Sequence, residues 1–183
     1  MITTERLILR PWKNEDLLPY AEMNADPRVR EFFPAILTRE QSDAEVRFHQ
    51  GNFDRDGICF FAAEIILTGQ FVGFVGLQTM NFAVPSLPQP AVEIGWRLSQ
   101  IHWGKGLATE GARGVIRHAF ATLQLEEVVA ITVPANLRSR HVMEKIGMTH
   151  RPELDFDHPR IPEGHPLRAH VLYALNKDPI LKI

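Results

Sequence analysis

Cysteine is nearly absent from this sequence, and so are the long apolar runs that a membrane protein needs. The single cysteine, Cys59, has no partner for an internal disulfide, and it stands in the apolar run 58–63, where a small buried thiol fits. No apolar stretch approaches the roughly 20 residues that span a bilayer, and the amino terminus lacks the basic and then apolar pattern of a signal peptide. We therefore expect a soluble protein of the reducing cytoplasm with no membrane partner.

An excess of charge of one sign is also lacking. Lysine and arginine total 20 against 22 acidic residues, a formal net charge of −2 at pH 7, so no strong field favours nucleic acid or an anionic membrane. The 8 histidines form no H-E-x-x-H pattern, and a C-x-x-C pair is excluded by the single cysteine. The sequence thus predicts small or local partners and no metal site.

What is present is apolar material for one continuous core, since 45% hydrophobic content over 183 residues predicts a single domain, 1–183. Thr68-Gly69 separates two strand-like runs and predicts a tight hairpin. Thr38 with Gln41 forms a capping box, which predicts a helix running towards Gly51. The predicted strands are 6–10, 58–67, 70–80, 91–98, 128–133 and 169–175, and helices are predicted after Asn14, Thr38, Gly104 and Asn136.

The change of period after strand 93–98 is the most informative feature of the chain. Trp103-Gly104-Lys105-Gly106 follows this strand, and apolar residues then recur at every fourth position from Leu107 to Leu123. A helix start presents free backbone N–H groups, and glycines let a phosphate approach without an intervening Cβ. The pattern suits a pyrophosphate, although the same glycines also serve a plain strand-to-helix turn. It matches neither the Walker loop nor the dinucleotide fingerprint.

Two signatures stand in order along the chain. The first is W-G-K-G-L-A-T-E over 103–110. The second begins at Asn136, about thirty residues later, and reads N-x-x-S-x-x-V-x-E-K-x-G. Together they resemble the GNAT superfamily of N-acetyltransferases, specifically its branch of ribosomal-protein amino-terminal acetyltransferases. Trp103, Gly106 and Ala108 are similar in position to the three defining residues of that superfamily's acetyl-CoA loop. Trp103 departs from the polar residue of the wider superfamily but is usual in this branch, and matching features extend over residues 4–173.

The resemblance implies an α+β (mixed α/β) fold: a mostly antiparallel mixed sheet of about seven strands, splayed between the fourth and fifth and flanked by about four helices. Acetyl-CoA would lie in the gap as co-substrate, with no metal. The backbone of Trp96, Arg97 and Leu98 would pair with the pantetheine arm, and one N–H there would polarise the thioester carbonyl. Asn136 would bond the same arm, a role that competes with plain helix capping. The pyrophosphate would be held by amides of Trp103, Gly104, Lys105, Gly106, Leu107, Ala108 and Thr109.

Transfer to an amine needs a base, because an alkyl ammonium of pKa about 10 is almost fully protonated at neutral pH. Glu93 is the first candidate, since desolvation in its apolar strand would raise its pKa, although a solvent-facing strand residue fits equally well. Glu64, isolated among apolar residues of the neighbouring strand, is the second. Many members of the superfamily protonate the leaving thiolate from a tyrosine where this chain has Met143. Ser139 is the remaining candidate for the acid. The alternative is that it is an ordinary serine of the first helical turn.

The predicted function is therefore transfer of an acetyl group from acetyl-CoA to a primary amine by direct attack in a ternary complex. The acceptor, a peptide amino terminus or a small-molecule amine, stays open because loops such as 31–37 and 151–168 vary independently of the coenzyme site. The alternative is a non-catalytic acyl-CoA sensor of the same fold, for which Met143 is the only support. The fold is compatible with a homodimer, and no sequence feature fixes the oligomeric state.

Overall fold

The computed structural model describes residues 1–177. This part of the chain contains nine strands, which are β1 (Ile2–Thr3), β2 (Leu7–Arg10), β3 (Phe60–Ile65), β4 (Phe71–Thr79), β5 (Val92–Leu98), β6 (Glu127–Thr132), β7 (Thr149–His150), β8 (Phe156–Asp157) and β9 (Ala169–Asn176). They form one sheet with the order β1-β2-β3-β4-β5-β6-β9-β7, and β8 pairs with β9. Neighbouring strands are antiparallel except β5 and β6, which are parallel.

Four α-helices in the described residues pack on this sheet. The predicted helix starts at Thr38 and Asn136 are confirmed, because both side chains accept a bond from a first-turn N–H. The predicted end at Gly51 is wrong: the helix continues to Asp56 and stops at Gly57, which has a left-handed φ of 71°. The helices are α1 (Leu17–Ala25), α2 (Arg39–Asp56), α3 (Leu107–Ala121) and α4 (Leu137–Lys145).

The expected mixed, mostly antiparallel sheet is confirmed, but it has nine strands rather than about seven. The six strand ranges predicted from the sequence do not include β1, β7 and β8. These have two residues each, too few to show an alternating pattern. The splay is also confirmed. Within residues 1–177, β5 and β6 form one register pair, Glu93 with Val129, and diverge beyond it.

The two faces of the sheet carry separate cores. The largest core lies between the sheet and α3 and α4, and includes Val75, Ile94 and Val115. Two smaller clusters cover the opposite face, one beneath α1 and α2 and one beneath the loop after β4 and the segment 154–156. Because side chains alternate along a strand, Glu93, Gly95 and Arg97 project from this opposite face, between the two smaller clusters.

Candidate active site

Glu93 lies where β5 and β6 make their register pair, at the closed end of the gap between these strands. Its side chain is half-buried, and the Gln78 amide donates a hydrogen bond of 3.0 Å to it. Burial raises the pKa of Glu93 to about 7, and the bond from Gln78 offsets part of this rise. A carboxyl group with this pKa exchanges a proton readily at neutral pH.

The backbone of β5 turns its free hydrogen-bonding groups towards the gap at alternate residues. Ser99 N–H donates to the Val72 carbonyl and Met80 N–H donates to the Ala91 carbonyl, each at 2.9 Å. Since bonded pairs alternate in an antiparallel ladder, the odd-numbered residues of β5, including Arg97, use their backbone groups on β4. The backbone groups of Trp96 and Leu98 therefore face the gap, and of these the Leu98 carbonyl accepts from the Trp103 indole.

The turn after β5 has the geometry that its glycines suggest. Gly104 has a φ of 73° and Gly106 has a φ of 78°, both in the left-handed region that favours glycine. Gly106 is the residue before the first turn of α3, so the first N–H groups of this 15-residue helix point towards the turn. Lys105 is exposed. A row of unpaired donors and a positive helix end therefore adjoin the gap, and together they suit a phosphate.

Glu110 fixes this turn to the beginning of the chain. It accepts bonds from the Thr4 hydroxyl at 2.6 Å, from the Arg6 backbone at 2.7 Å and from Arg6 Nε at 2.6 Å. The same arginine donates to the Lys105 carbonyl at 3.0 Å. The sequence places these residues about a hundred positions apart, so no periodic pattern reveals the contact, although T-E-R-L and A-T-E are both parts of the resemblance.

A surface cleft of about 500 Å³ lies beside the first turn of α3. Basic side chains of α3 and α4 border it, which suits further phosphate groups. A larger cleft of about 610 Å³ lies elsewhere, around Arg10, Asp16 and Glu64. The 500 Å³ cleft is bordered by Thr4, Glu5, Arg6, Gly106, Thr109, Glu110, Arg113, Arg117 and Lys145.

The start of α4 forms the other wall of the gap. The Asn136 side chain accepts from Ser139 N–H at 3.2 Å, and its amide donates to the Thr132 hydroxyl at 3.0 Å. Asn136 is therefore a helix cap, with one amide hydrogen still free for a ligand. Ser139 is half-buried in the first turn, and Met143, one turn further on, is 2% exposed and packs in the main core.

Arg138 crosses the mouth of the gap, a contact that the sequence does not indicate. Its guanidinium lies 4.6 Å from the centre of the Trp103 ring and 5.5 Å from that of Phe32, and it pairs with Glu31 at 2.6 Å. The Trp103 indole donates to the Leu98 carbonyl at 2.8 Å, which places the ring at the end of β5. The loop before α2 and the start of α4 thus meet above the gap.

Glu64, the second candidate base, is not brought to this site. Its carboxylate accepts from Arg10 Nε at 2.7 Å and lies 3.7 Å from the Lys13 ammonium. Glu64 pairs with Phe71 on β4, whereas Glu93 pairs with Gln78 seven residues along the same strand, a separation of about 23 Å. The two carboxylates therefore serve different parts of the fold.

Histidines of the carboxyl-terminal segment line the same face of the sheet as Glu93. The rings of His158 and His170 lie 4.9 Å apart, and burial lowers the pKa of His158 to about 4. Phe82 and Phe156 pack against His158 at 4.6 and 6.2 Å. No group of three metal-ligating side chains occurs among residues 1–177, and no helix there is long and apolar enough to cross a membrane.

Comparison with known proteins places these features in one family. Residues 6–149 match the family model described as an acetyltransferase (GNAT) domain. YnaD of Bacillus subtilis, described as an uncharacterized N-acetyltransferase, is 27% identical over 97% of this chain and 97% of its own length. An acetyltransferase structure from Agrobacterium tumefaciens aligns with a TM-score of 0.77 and 27% identity over 96% of this chain and 94% of its own. The spermidine N-acetyltransferase of Vibrio cholerae, solved with CoA and spermine, shares the fold at a TM-score of 0.70 and 16% identity over 93% of this chain and 95% of its own.

Proposed function

This chain belongs to the GNAT acetyltransferase family, and from that premise we propose that it transfers an acetyl group from acetyl-CoA to a primary amine by direct attack in a ternary complex. The observation that carries the proposal is the divergence of β5 from β6, which leaves the backbone of Trp96 and Leu98 facing a gap. The glycine turn at Gly104 and Gly106 follows the end of β5 and precedes α3. An extended arm bound along β5 would therefore place its phosphates near this turn.

These residues fit the parts of acetyl-CoA in order. The backbone of Trp96 and the Leu98 N–H would bond the pantetheine arm, and Asn136 has one free amide hydrogen on the opposite wall. The amides of residues 104–109 would hold the pyrophosphate at the positive end of α3, whereas the Trp103 N–H already donates to the Gln100 carbonyl at 3.1 Å. Arg113, Arg117 and Lys145, beside the cleft of about 500 Å³, would attract the remaining phosphate.

The chemical step needs a proton acceptor, and Glu93 is the candidate, on the face of the sheet away from α3 and α4. With a pKa of about 7, this carboxylate can take a proton from the acceptor ammonium, directly or through water. The amine nitrogen then bonds to the acetyl carbonyl carbon, and a free backbone N–H of β5 would stabilise the oxyanion. As the carbon–sulfur bond breaks, the nitrogen gives up its second proton, and Ser139 or water would relay a proton to the leaving thiolate.

The branch of the family, the acceptor and the cellular compartment are supported by other observations. The two signatures at 103–110 and 136–147 favour the ribosomal-protein amino-terminal branch for the coenzyme site, which leaves a peptide amino terminus or a small-molecule amine as acceptor. Cys59 is buried and its thiol is free, which fits a reducing cytoplasm. The acceptor would bind outside both signatures, so the branch does not specify the substrate.

Two measurements test the proposal. Acetyl-CoA, with EDTA present, should raise the melting temperature, because a ligand that binds the native state alone adds RT ln(1 + [L]/Kd) to the unfolding free energy. Release of free thiol is then followed with an amine panel that contains a peptide, a polyamine, an amino acid and a simple alkylamine. No shift at millimolar acetyl-CoA contradicts the proposal. A shift without thiol release from any amine supports the non-catalytic sensor instead.

A further inference from the structure

Two buried arginines on the face that carries Glu93 share one carboxylate. Arg97 Nη1 lies 3.1 Å from Glu45, and Arg30 Nη1 lies 3.8 Å from the same side chain. The Arg30 and Arg97 side chains are only 7% and 11% exposed. Both guanidinium groups pack on the Phe33 ring, at 4.2 and 4.4 Å from its centre. Two positive charges therefore face one negative charge in a largely buried place.

The hydrogen bonding of this pair is incomplete. Arg97 Nη1 also reaches the Asn24 side chain at 2.8 Å and the Tyr20 hydroxyl at 3.3 Å. Within residues 1–177, however, Arg97 Nε and Arg30 Nη1 are buried without an acceptor. Burial, with repulsion from Arg97 added, lowers the pKa of Arg30 to about 10. An unpaired buried N–H and an excess of positive charge both cost free energy, and an additional anion would relieve both.

The position of the pair relates it to the acceptor. Arg97 and Glu93 project from the same face of β5 with Gly95 between them, and four residues of strand separate them by about 13 Å. The Phe60 ring, which is 8% exposed, packs against Gly95 between the two charged side chains, so the contact between them is apolar. Phe33, which covers the arginines, belongs to the loop between α1 and α2 and is 38% exposed. A molecule that offers its amine to Glu93 would therefore pass the apolar side chains of Phe60 and Phe33 to reach the arginines.

Building on the function proposed above, we propose that the acceptor is an amine that also carries a carboxylate, and that Arg97 and Arg30 bind this carboxylate. Guanidinium groups suit the recognition, because they present N–H donors in a fork that matches a carboxylate. Phe33 would move aside or pack on the bound chain, since it covers both guanidinium groups. The substrate class is thus an amino acid, or a peptide with an acidic group at this distance from its amine.

Matched probes test the proposal. With acetyl-CoA present, kcat/KM is measured for ε-aminocaproate, for its carboxamide and for hexylamine, and the longer ω-aminocaprylate tests the distance between the two sites. A bond between a guanidinium and a carboxylate should favour the acid over the amide by about 10- to 100-fold. Calorimetry of the same probes with CoA-loaded protein gives this ratio even where turnover is slow.

Variants identify the residues responsible. Arg30→Met should lower the ratio of acid to amide because only Arg97 remains, and Arg30→Lys should restore part of it because the charge remains. Comparing acid and amide within one variant separates recognition from any loss of folding. Arg39→Met is the matched control, because Arg39 forms an exposed pair with Asp43 on α2 and should leave the ratio unchanged.

The outcomes separate this proposal from the one on which it rests. Equal kcat/KM and equal affinity for acid and amide in the wild type would overturn the carboxylate site while leaving acetyl transfer intact. A preference for the acid that is unchanged in Arg30→Met would exclude Arg30 from the recognition. Failure of every amine to release thiol, with the acid still binding more tightly than the amide, would instead refute transfer and keep the site.

Discussion

Replacement of Glu93 by glutamine should lower activity and raise stability together. Burial raises the pKa of Glu93 to about 7, whereas a glutamate in an unfolded chain titrates near 4.3. The native state therefore holds this proton more firmly than the unfolded chain does, and the wild type loses stability as the pH rises through this interval. The loss amounts to about 4 kcal/mol at most by pH 8, and the partial exposure of the side chain reduces it. Glutamine is neutral at every pH and can still accept the bond from Gln78, so it avoids this loss.

The assay is a pair of pH series on wild type and Glu93→Gln. At pH 8 the variant should melt several degrees higher, at roughly 2–4 °C per kcal/mol for a chain of this size, and at pH 4 the difference should vanish. Over the same range kcat/KM of the variant should fall by about 10²- to 10⁴-fold and lose the acidic limb near pH 7, while the affinity for acetyl-CoA is kept. Higher stability with lower activity is the combination that a buried base predicts.

Glu64→Gln is the matched control, because Glu64 is also a strand carboxylate. It accepts from Arg10 Nε at 2.7 Å, so its neutralisation should lower the melting temperature and leave the acidic limb in place. The two variants thus have opposite expected effects on stability. A Glu93→Gln protein that melts below wild type at pH 8, or keeps the acidic limb, would refute the assignment of the base.

Three further variants address the proposed coenzyme site. Gly106→Val should weaken acetyl-CoA binding, and calorimetry measures this loss of affinity. Gly57→Val is its control: Gly106 and Gly57 have left-handed φ values of 78° and 71°, so valine strains either backbone, but only Gly106→Val should lose affinity. Ser139→Ala should lower kcat with little change in the Kd of acetyl-CoA if the hydroxyl protonates the thiolate, and an unchanged kcat would leave water as the proton source. Glu110→Gln should lower the unfolding free energy by about 1–3 kcal/mol, since Thr4 and Arg6 lose a charged acceptor, and chemical denaturation measures this.

The parts of the fold that the sequence predicts are those governed by local chemistry. The capping box at Thr38, the Asn136 cap and the left-handed glycines before α3 follow from hydrogen bonding and backbone sterics within a few residues. The misplaced end of α2 has the same origin. Gly51 is an acceptable helix residue on an exposed face, and local rules alone do not rank it against Gly57 as the helix end.

The contacts that complete the site join distant parts of the chain, and for that reason the sequence does not show them. Arg138 meets Glu31 across the gap, and Arg97 meets Glu45 beneath α2. The burial of Glu93 likewise depends on which clusters cover its face of the sheet. The alternating pattern of β5 shows which face of the strand Glu93 is on, but it does not show whether that face meets solvent or the core. Tertiary packing decides this.

The alternation along β5 would let one strand contact both of the proposed substrates. Its even-numbered residues, Trp96 and Leu98, direct backbone groups into the gap, whereas its odd-numbered residues, Glu93 and Arg97, direct side chains to the opposite face. Contacts through the backbone do not depend on the side chain, so the proposed coenzyme contacts would survive most substitutions on this strand. Side chains at positions 93 and 97 can then change with the acceptor. We therefore expect relatives of this chain to keep the divergence of these strands while differing at the position of Arg97 according to the charge of the amine they acetylate.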